Sequence, residues 1–497
     1  MLYLRHPAWL WLKKHDRAQL PAVDANLQAM FDAGHAFEEY AESLFPNGTK
    51  LGWNNFHEYR SLPKRTQDAI DSDVDTIFQG RIEAEDATFI FDVLQRNQDG
   101  SFDLYEIKSS TKVKPEHHYD LAFQLHVATL AGIDIRKLYV IHINNRYQRR
   151  GALDINALTV TEEVTESVVN LATETSTKLA RAHAVVNSAD MPDASPAHAS
   201  PEHMQEWLEI FKQLYTAPDD SIYNLYRLTP QQCAQLEELG VEAITDIPNS
   251  VELSAKQQRQ VIAAQHRAPL IKTERISTFL SELEFPLYFL DYETIGEPIP
   301  PYDGLRPYQQ LPFQYSLHVL TTTDSELQHY EYLHTHNSNP TEPLLDKLTR
   351  DIPAQGGSVV VWSKQFEQGC NDLMAALAPH YSEHLQQINS RLVDLMDPFA
   401  HGWYVDHRFG GSASIKNVLP VLAPDMSYKE LAIQEGASAQ RMWVEAVLYG
   451  QQPADVELFA NLRDYCRMDT MAMVRIFEVL CDIQQANGAD LEQASLF

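Results

Sequence analysis

Apolar and polar residues along this chain follow two rhythms. Near the start, Trp9, Leu10 and Leu12 recur at turn spacing. Further on, Phe31-Asp-Ala-Gly-His-Ala-Phe-Glu-Glu-Tyr-Ala41 puts its apolar residues on one helical stripe, so residues 1–50 read as helical. Residues 88–95 and 102–109 alternate instead, and residues 97–100 supply a turn between them, which predicts a β-hairpin. A helix over 119–131 and a strand over 137–143 follow, then a polar, helix-compatible stretch over 160–184. Residues 188–203 are poor in core formers and punctuated by proline, and read as a linker. Helices dominate to about residue 280. From Pro286 strands alternate with helices to about 484, and residues 485–497 read as a flexible tail.

The patterning predicts an α/β protein in four segments: 1–155, a helical 156–283, 284–484 and the tail 485–497. With 497 residues, 44% of them hydrophobic, the chain is too long for one core and rich enough to fill two or three. No apolar run reaches the length of a membrane span, and Arg5 and His6 break the first one, which predicts a cytoplasmic protein with no membrane partner. The four cysteines lie far apart and predict reduced thiols. Charge changes the picture most. With 39 Lys plus Arg against 69 Asp plus Glu, the net charge of −30 repels nucleic acid at long range and argues against a tight reader of duplex sequence. It does not exclude an enzyme whose metal ions offset the carboxylates locally.

The candidate chemistry is acidic. The run Phe285-Pro-Leu-Tyr-Phe-Leu290 leads into Asp291-Tyr-Glu-Thr294. Carboxylates at i and i+2 of a strand point to one face and repel, and an oxygen-only pair favours Mg²⁺ or Mn²⁺ over zinc. The hairpin sets Asp92 on its first strand against Glu106 on its second, with Lys108 two residues on and sharing the Glu106 face. Two carboxylates and an adjacent ammonium suit hydrolysis of a phosphodiester. Tyr465 and Asp469 are one helical turn apart and share a face.

The pattern Asp92-x(13)-Glu106-x-Lys108 resembles the PD-(D/E)XK nuclease core, in its RecB-like branch, over roughly residues 1–150. The resemblance implies a metal-site role for Glu38 on the helix that also carries Gly34. It gives Lys108 and Gln124 catalytic roles, although residue 128 is Ala where the branch has Tyr. Many relatives hold an iron–sulfur cluster with a cysteine where this chain has His6, and the later cysteine cluster is missing, so no cluster is expected.

Farther along, Asp291-x-Glu293, then Glu367 after the strand-like Val359-Val-Val, then Tyr465-x-x-x-Asp469 resemble the DnaQ-like (DEDD) 3′–5′ exonucleases of the RNase H-like fold, over roughly 284–484. That resemblance implies two metals held by Asp291, Glu293, Glu367 and Asp469, and a water oriented by Tyr465. Glu367 departs from the aspartate usual there, with Asp372 as a weaker substitute, and Lys416 is a candidate phosphate contact. Residues 225–248 resemble a helix–hairpin–helix-like element, with a plain helical spacer as the alternative.

The joined pair resembles a bacterial family of fused nucleases. The expected fold is α/β, with a PD-(D/E)XK restriction-endonuclease-like domain, a helical middle and an RNase H-like domain built on a mixed sheet. The expected function is a metal-dependent nuclease acting on single-stranded ends or flaps of DNA; an RNA 3′–5′ exonuclease and a non-catalytic nucleic-acid scaffold are the alternatives. The end of the chain, Gln493-Ala-Ser-Leu496-Phe497, resembles peptides that dock on the sliding clamp. Histidines such as His117, His118, His401 and His407 lack ligand spacing and read as surface or loop residues.

Overall fold

The alternation over 88–95 and 102–109 folds as read. Strands β3 (Ala87–Arg96) and β4 (Phe102–Lys108) pair antiparallel, with Val93 opposite Tyr105. The computed structural model describes residues 1–72 and 74–494, and there the chain is a mixed α/β protein. It forms two units, Met1–His203 with Gly296–Gln309, and Met204–Ile295 with Gln310–Phe497. This differs from the sequence-based division, because residues 156–203 pack with the first unit and 204–283 with the second.

In the first unit the sheet runs β1 (Thr49–Lys50), β2 (Thr76–Ala84), β3, β4, β5 (Ile135–Ile143), β6 (Thr159–Glu163). Helix α1 (Ala25–Glu42) precedes the antiparallel β2–β3–β4, and helix α2 (Pro115–Leu130) makes the crossover to β5, which is parallel to β4. Leu104, Leu121, Val127 and Val140 belong to one core, whereas Phe37, Ala41, Ile107 and Ile141 belong to another, so the sheet is covered on both faces.

One strand went unread and two expectations are corrected here. Strand β2 escapes the alternation test because Gly80 interrupts it; a Cβ there would come within 2.3 Å of the Phe91 ring. The stretch 160–184 opens as the edge strand β6, whose Thr159-Val-Thr suits a pleated surface, before turning helical. Residues 188–203 are not a free linker. The Ser200 N–H donates to the Arg5 carbonyl at 2.9 Å, the Trp11 indole donates to the Ser188 carbonyl at 3.1 Å, and Ala194 and Ala199 are buried.

The second unit opens with helices, among them Met204–Tyr215, Pro230–Glu238, Ala255–His266 and Thr273–Ser281. Its main sheet has the order β9 (Gln328–Leu333), β8 (Leu311–Leu320), β7 (Leu287–Ile295), β10 (Ser358–Val361), β11 (Leu392–Asp394). Strand β8 runs antiparallel to both β9 and β7, and β10 runs parallel to both β7 and β11. Every residue of β7 except Asp291 is buried, and Leu290, Leu317, Val359 and Val361 share one core with Cys370 and Met374 of helix α3 (Lys364–Leu377). The long helix α4 (Val456–Ala494) packs on this sheet: the Phe289 and Phe477 rings stand 5.7 Å apart, and Gln314 donates to the Leu462 carbonyl at 2.9 Å. It continues to Ala494, through most of the segment expected to be a tail. Among the described residues no helix is long and apolar enough to cross a membrane.

Two glycines at the start of β10 make this packing testable. Gly357 has φ +75°, and a Cβ on it would meet the Pro286 carbonyl oxygen at 2.0 Å, whereas Gly356, at φ +85°, has open space. Gly356→Ala is expected to cost about 1 kcal/mol for backbone strain alone, and Gly357→Ala at least about 2 kcal/mol. Thermal unfolding should show the larger fall in midpoint for Gly357→Ala; equal midpoints would overturn the close approach.

Candidate metal centres

Strand β7 brings Asp291 and Glu293 to one face, and α4 brings Cys466 to them. One ligand atom from each of the three lies within 4.8 Å of the others. Burial lifts the Asp291 and Glu293 carboxyls well above the usual range, and repulsion adds to it: Asp469 acts on Asp291, and Asp291 with Asp469 acts on Glu293. The Glu367 carboxyl, 1% exposed in the first turn of α3, is raised by burial and by Asp291, and its Oε2 has no hydrogen-bond partner among the described residues. Asp469 is pushed up by burial to about 6, and hydrogen bonds from Tyr428 and Tyr465 hold it lower than it would otherwise stand.

The chain thus gathers Asp291, Glu293, Glu367, Asp469 and Tyr465, expected from sequence, into one electrostatic cluster. Lys416 is beside it: its ammonium lies 5.6 Å from the Tyr465 ring centre, donates to the Gln434 carbonyl at 3.0 Å and opposes the charge of Glu293 and Asp469. Asp372 is exposed, bonded by Asn389 at 3.0 Å, and gives way to Glu367.

In the first unit Asp92 accepts the Ile107 N–H at 2.6 Å. The Lys108 ammonium donates to Glu106 at 2.5 Å and to Asp120 at 3.2 Å, and Gln124 donates to the other oxygen of Glu106 at 2.8 Å. Glu38 joins through Gln79, which donates to both Glu38 and Asp92. Gln79 has φ +54°, a left-handed conformation that costs a non-glycine residue energy and is met at functional sites. Burial and mutual repulsion push Glu38 up to about 7, and Asp92 and Glu106 each to about 8. Burial pulls the Lys108 ammonium down, but Glu106, Asp120 and Asp92 outweigh it and raise its pKa.

Both clusters offer oxygen donors of the kind hard divalent cations take, and among the described residues Asp291, Glu293 and Cys466 are the group whose ligand atoms lie close enough to share one ion. Buried carboxylates carry repulsion that a cation relieves, and oxygen donors suit Mg²⁺ or Mn²⁺. The orphaned Glu367 Oε2 is an acceptor in want of a partner. Gly436 keeps room beside Glu293: a Cβ there would sit 3.7 Å from both Glu293 Oε2 and the Tyr465 hydroxyl. The buried Cys466 thiol, its pKa raised by burial, donates weakly to Asp291 at 3.8 Å.

Several participants were not picked out from sequence. Asp120 lies one helical turn before Gln124, a spacing that was available as a signal. Gln79, Tyr428 and Cys466 arrive through long-range packing and left none. His117 is a correction: it is 5% exposed rather than on the surface, accepts the Lys114 N–H, and is held down to about 4 by burial and by Lys108. His401 is exposed and His407 half-exposed, as read, and they lie beside Asp397 and Asp406. His6 is fully buried, capping a helix by accepting the Ala8 N–H and contacting the Ser195 carbonyl. Gln493 falls within α4, and Leu496 and Phe497 lie outside the described residues.

A family model described as a domain of unknown function (DUF2779) matches residues 288–414. The match takes in Asp291, Glu293 and Glu367 and ends before Lys416, Tyr465 and Asp469. No curated protein and no solved structure matches the chain.

The raised carboxyls give a signed pH dependence. Glu38, Asp92 and Glu106 have folded pKa values of about 7, 8 and 8, above their ordinary values. Between about pH 4 and pH 8 these three groups therefore hold more protons folded than unfolded, and their contribution to stability falls as pH rises. The buried His6, His117 and His318 and the half-buried His329, held down to about 3 to 4, act oppositely below about pH 6.5. Unfolding midpoints in EDTA should decline from about pH 6.5 to pH 8. Glu106→Gln, which cannot ionise, should flatten the decline, and Mg²⁺ or Mn²⁺ should raise the midpoint most at the alkaline end. A midpoint that climbs with pH over that range in EDTA contradicts the shifts.

Proposed function

We propose that the chain is a metal-dependent nuclease that hydrolyses phosphodiester bonds at single-stranded ends or flaps of DNA. The observation that carries this reading is the convergence of Asp291 with Glu293, Glu367 and Asp469, from three places in the sequence, on one buried electrostatic cluster with Tyr465 beside it. The sheet supports it: numbered within the unit, its order is 3-2-1-4-5 with the first three strands antiparallel. This is the arrangement expected of the RNase H-like fold that the motif order resembles.

The four carboxylates would hold two Mg²⁺ or Mn²⁺ ions, which supply the positive charge that polarises a phosphodiester and makes a water acidic enough to attack. The chain's own groups do the rest. Burial and Asp469 raise the Tyr465 phenol, so it stays protonated and can hydrogen-bond a water while contacting Asp469. Tyr428 donates to Asp469 Oδ1 at 2.6 Å and fixes its orientation. Lys416 offers an ammonium to a phosphate beside Glu293.

A second centre of the same chemistry is favoured in the first unit. The order α1, then β2–β3–β4, then α2 and β5 supports the PD-(D/E)XK reading, and Glu38, Asp92, Glu106, Lys108 and Gln124 lie in one network there. Asp92 and Glu106 would hold a cation there, and Lys108 is placed to orient a water or meet the charge developing on phosphorus.

Wild type, Lys108→Ala, Asp291→Ala and the double variant should be assayed on labelled single- and double-stranded DNA and RNA with Mg²⁺ or Mn²⁺. The wild type is expected to shorten single-stranded DNA and to stop in EDTA. Asp291→Ala should lower trimming about 10²-fold or more, and the double variant should cut nothing. Cleavage that survives both substitutions rules out these centres, and trimming of RNA alone reassigns the substrate. In addition, Tyr465→Phe should lower kcat roughly 10²-fold while Mn²⁺ affinity, measured by calorimetry, stays unchanged.

A further inference from the structure

The segment Gly296–Gln309 leaves strand β7 of the second unit but belongs to the first. It is tightly stitched there. Arg149 donates to the Pro300 and Pro301 carbonyls at 2.8 and 2.7 Å, Gln148 donates to the Gly304 carbonyl at 2.8 Å, and the Gly151 N–H donates to Asp303 at 2.8 Å. Ile299 packs on the core that contains Phe37 and Ile107. At its end stands Tyr308, whose N–H donates to the Glu297 carbonyl at 2.9 Å and whose hydroxyl donates to the carbonyl of Ser109, the residue after Lys108. Tyr308 has φ +61°, a conformation that glycine or asparagine holds at less cost and that Gly304 holds in the same segment at φ +85°. A bulky residue in that conformation is a sign of function carried by its side chain.

Tyr308 is 37% exposed and lines an open cleft of about 590 Å³ with Lys108, Thr111, Lys114 and His117. The cleft joins an aromatic wall to the Lys114 ammonium, whose side chain is 48% exposed and pairs with Glu116 at 3.6 Å, and to Lys108, which Glu106 and Asp120 hold. Duplex DNA offers phosphates to such a cleft but keeps its base faces stacked; only a single strand can present a phosphate and a base face together. We propose that the Gly296–Gln309 segment gives the Lys108 centre a seat for single-stranded nucleic acid, in which Tyr308 stacks on an unpaired base and Lys114 meets the neighbouring phosphate. The inference rests on the nuclease reading of that centre for its purpose, though the seat itself is a binding site.

The test is fluorescence anisotropy of the full chain with a labelled oligonucleotide of about ten nucleotides, as single-stranded DNA, as RNA and as duplex. Ca²⁺ replaces Mg²⁺, so that the carboxylates are neutralised. Tyr308→Ala should weaken single-strand binding about tenfold and leave duplex binding unchanged, while Tyr308→Phe and Tyr308→Trp stay within about twofold of wild type. Lys114→Ala should weaken binding and flatten its dependence on salt. A loss confined to the DNA or the RNA arm assigns the source of the strand. In Tyr308→Trp the emission gained over wild type should fall as the strand binds, a readout independent of how the alanine variant folds.

Unchanged binding by Tyr308→Ala, an equal loss in Tyr308→Phe, no response from the added tryptophan or no binding by wild type overturns the seat. Cleavage separates the two readings. A chain that binds through Tyr308 yet cuts nothing keeps the seat and loses the nuclease; one that cuts through Lys108 and binds without Tyr308 does the reverse.

Discussion

Repulsion between carboxylates held out of water is the constraint on which the rest of this structure depends. Two unit charges about 4 Å apart interact by roughly 4 kcal/mol at an effective dielectric near 20, a sizeable part of a domain's net stability. This chain accepts that cost in two places. In each, the acids arrive on separate elements already committed to a core. Asp291 and Glu293 share a strand with Leu287, Phe289 and Leu290, all fully buried. Glu106 lies between Leu104 and Ile107, and Glu367 is on the helix that buries Cys370 and Met374. Burial of those apolar neighbours holds the acids together, because none could withdraw without opening the core around it.

The two clusters offset the repulsion differently. In the first unit the compensation is internal: Lys108 contacts Glu106, Asp92 takes a backbone N–H, Gln124 occupies the second oxygen of Glu106, and Gln79 in its left-handed conformation reaches both Glu38 and Asp92. In the second unit the compensation is thinner. Two tyrosines serve Asp469, Lys416 spends a hydrogen bond on a backbone carbonyl, and one oxygen of Glu367 has no partner among the described residues. A lysine built into the cluster leaves less charge for an outside cation to neutralise. The second cluster is therefore the one with more uncompensated charge, and on the proposed reading the one a cation from solution would relieve more.

What was legible in the sequence was local. The Asp92–Glu106–Lys108 hairpin follows from alternation and a turn, and the pairing of Tyr465 with Asp469 from helical spacing. The carboxyl pair in β7 follows from the two-residue period of a strand. The role of Glu367 depended on the order of motifs, since nothing near it in sequence tells where α3 would carry it. What stayed hidden depends on packing between distant segments. Strand β2 was masked by Gly80, whose missing Cβ makes way for the Phe91 ring. Residues 188–203 have the composition of a linker, yet backbone and histidine hydrogen bonds tie them to the first helices. No local rule could show that Gly296–Gln309, between two strands of one unit, would pack in the other.

The net charge of −30 also takes on a different meaning once these sites are on the page. Long-range attraction cannot gather a polyanion onto this chain, so nucleic acid must be held by contacts made only at the site. The groups that the proposed reading would use for that are few: Lys108 and Lys114 by the first cluster, Lys416 by the second, and the aromatic ring of Tyr308. Ionic contacts this few make weak footholds on a duplex, whereas stacking on an unpaired base is short-ranged and indifferent to overall charge. On the proposed reading, an acidic surface would act as a filter. It would disfavour duplex, which has phosphates to offer and no free base face, and favour ends and single strands, whose stacking offsets what the field takes away.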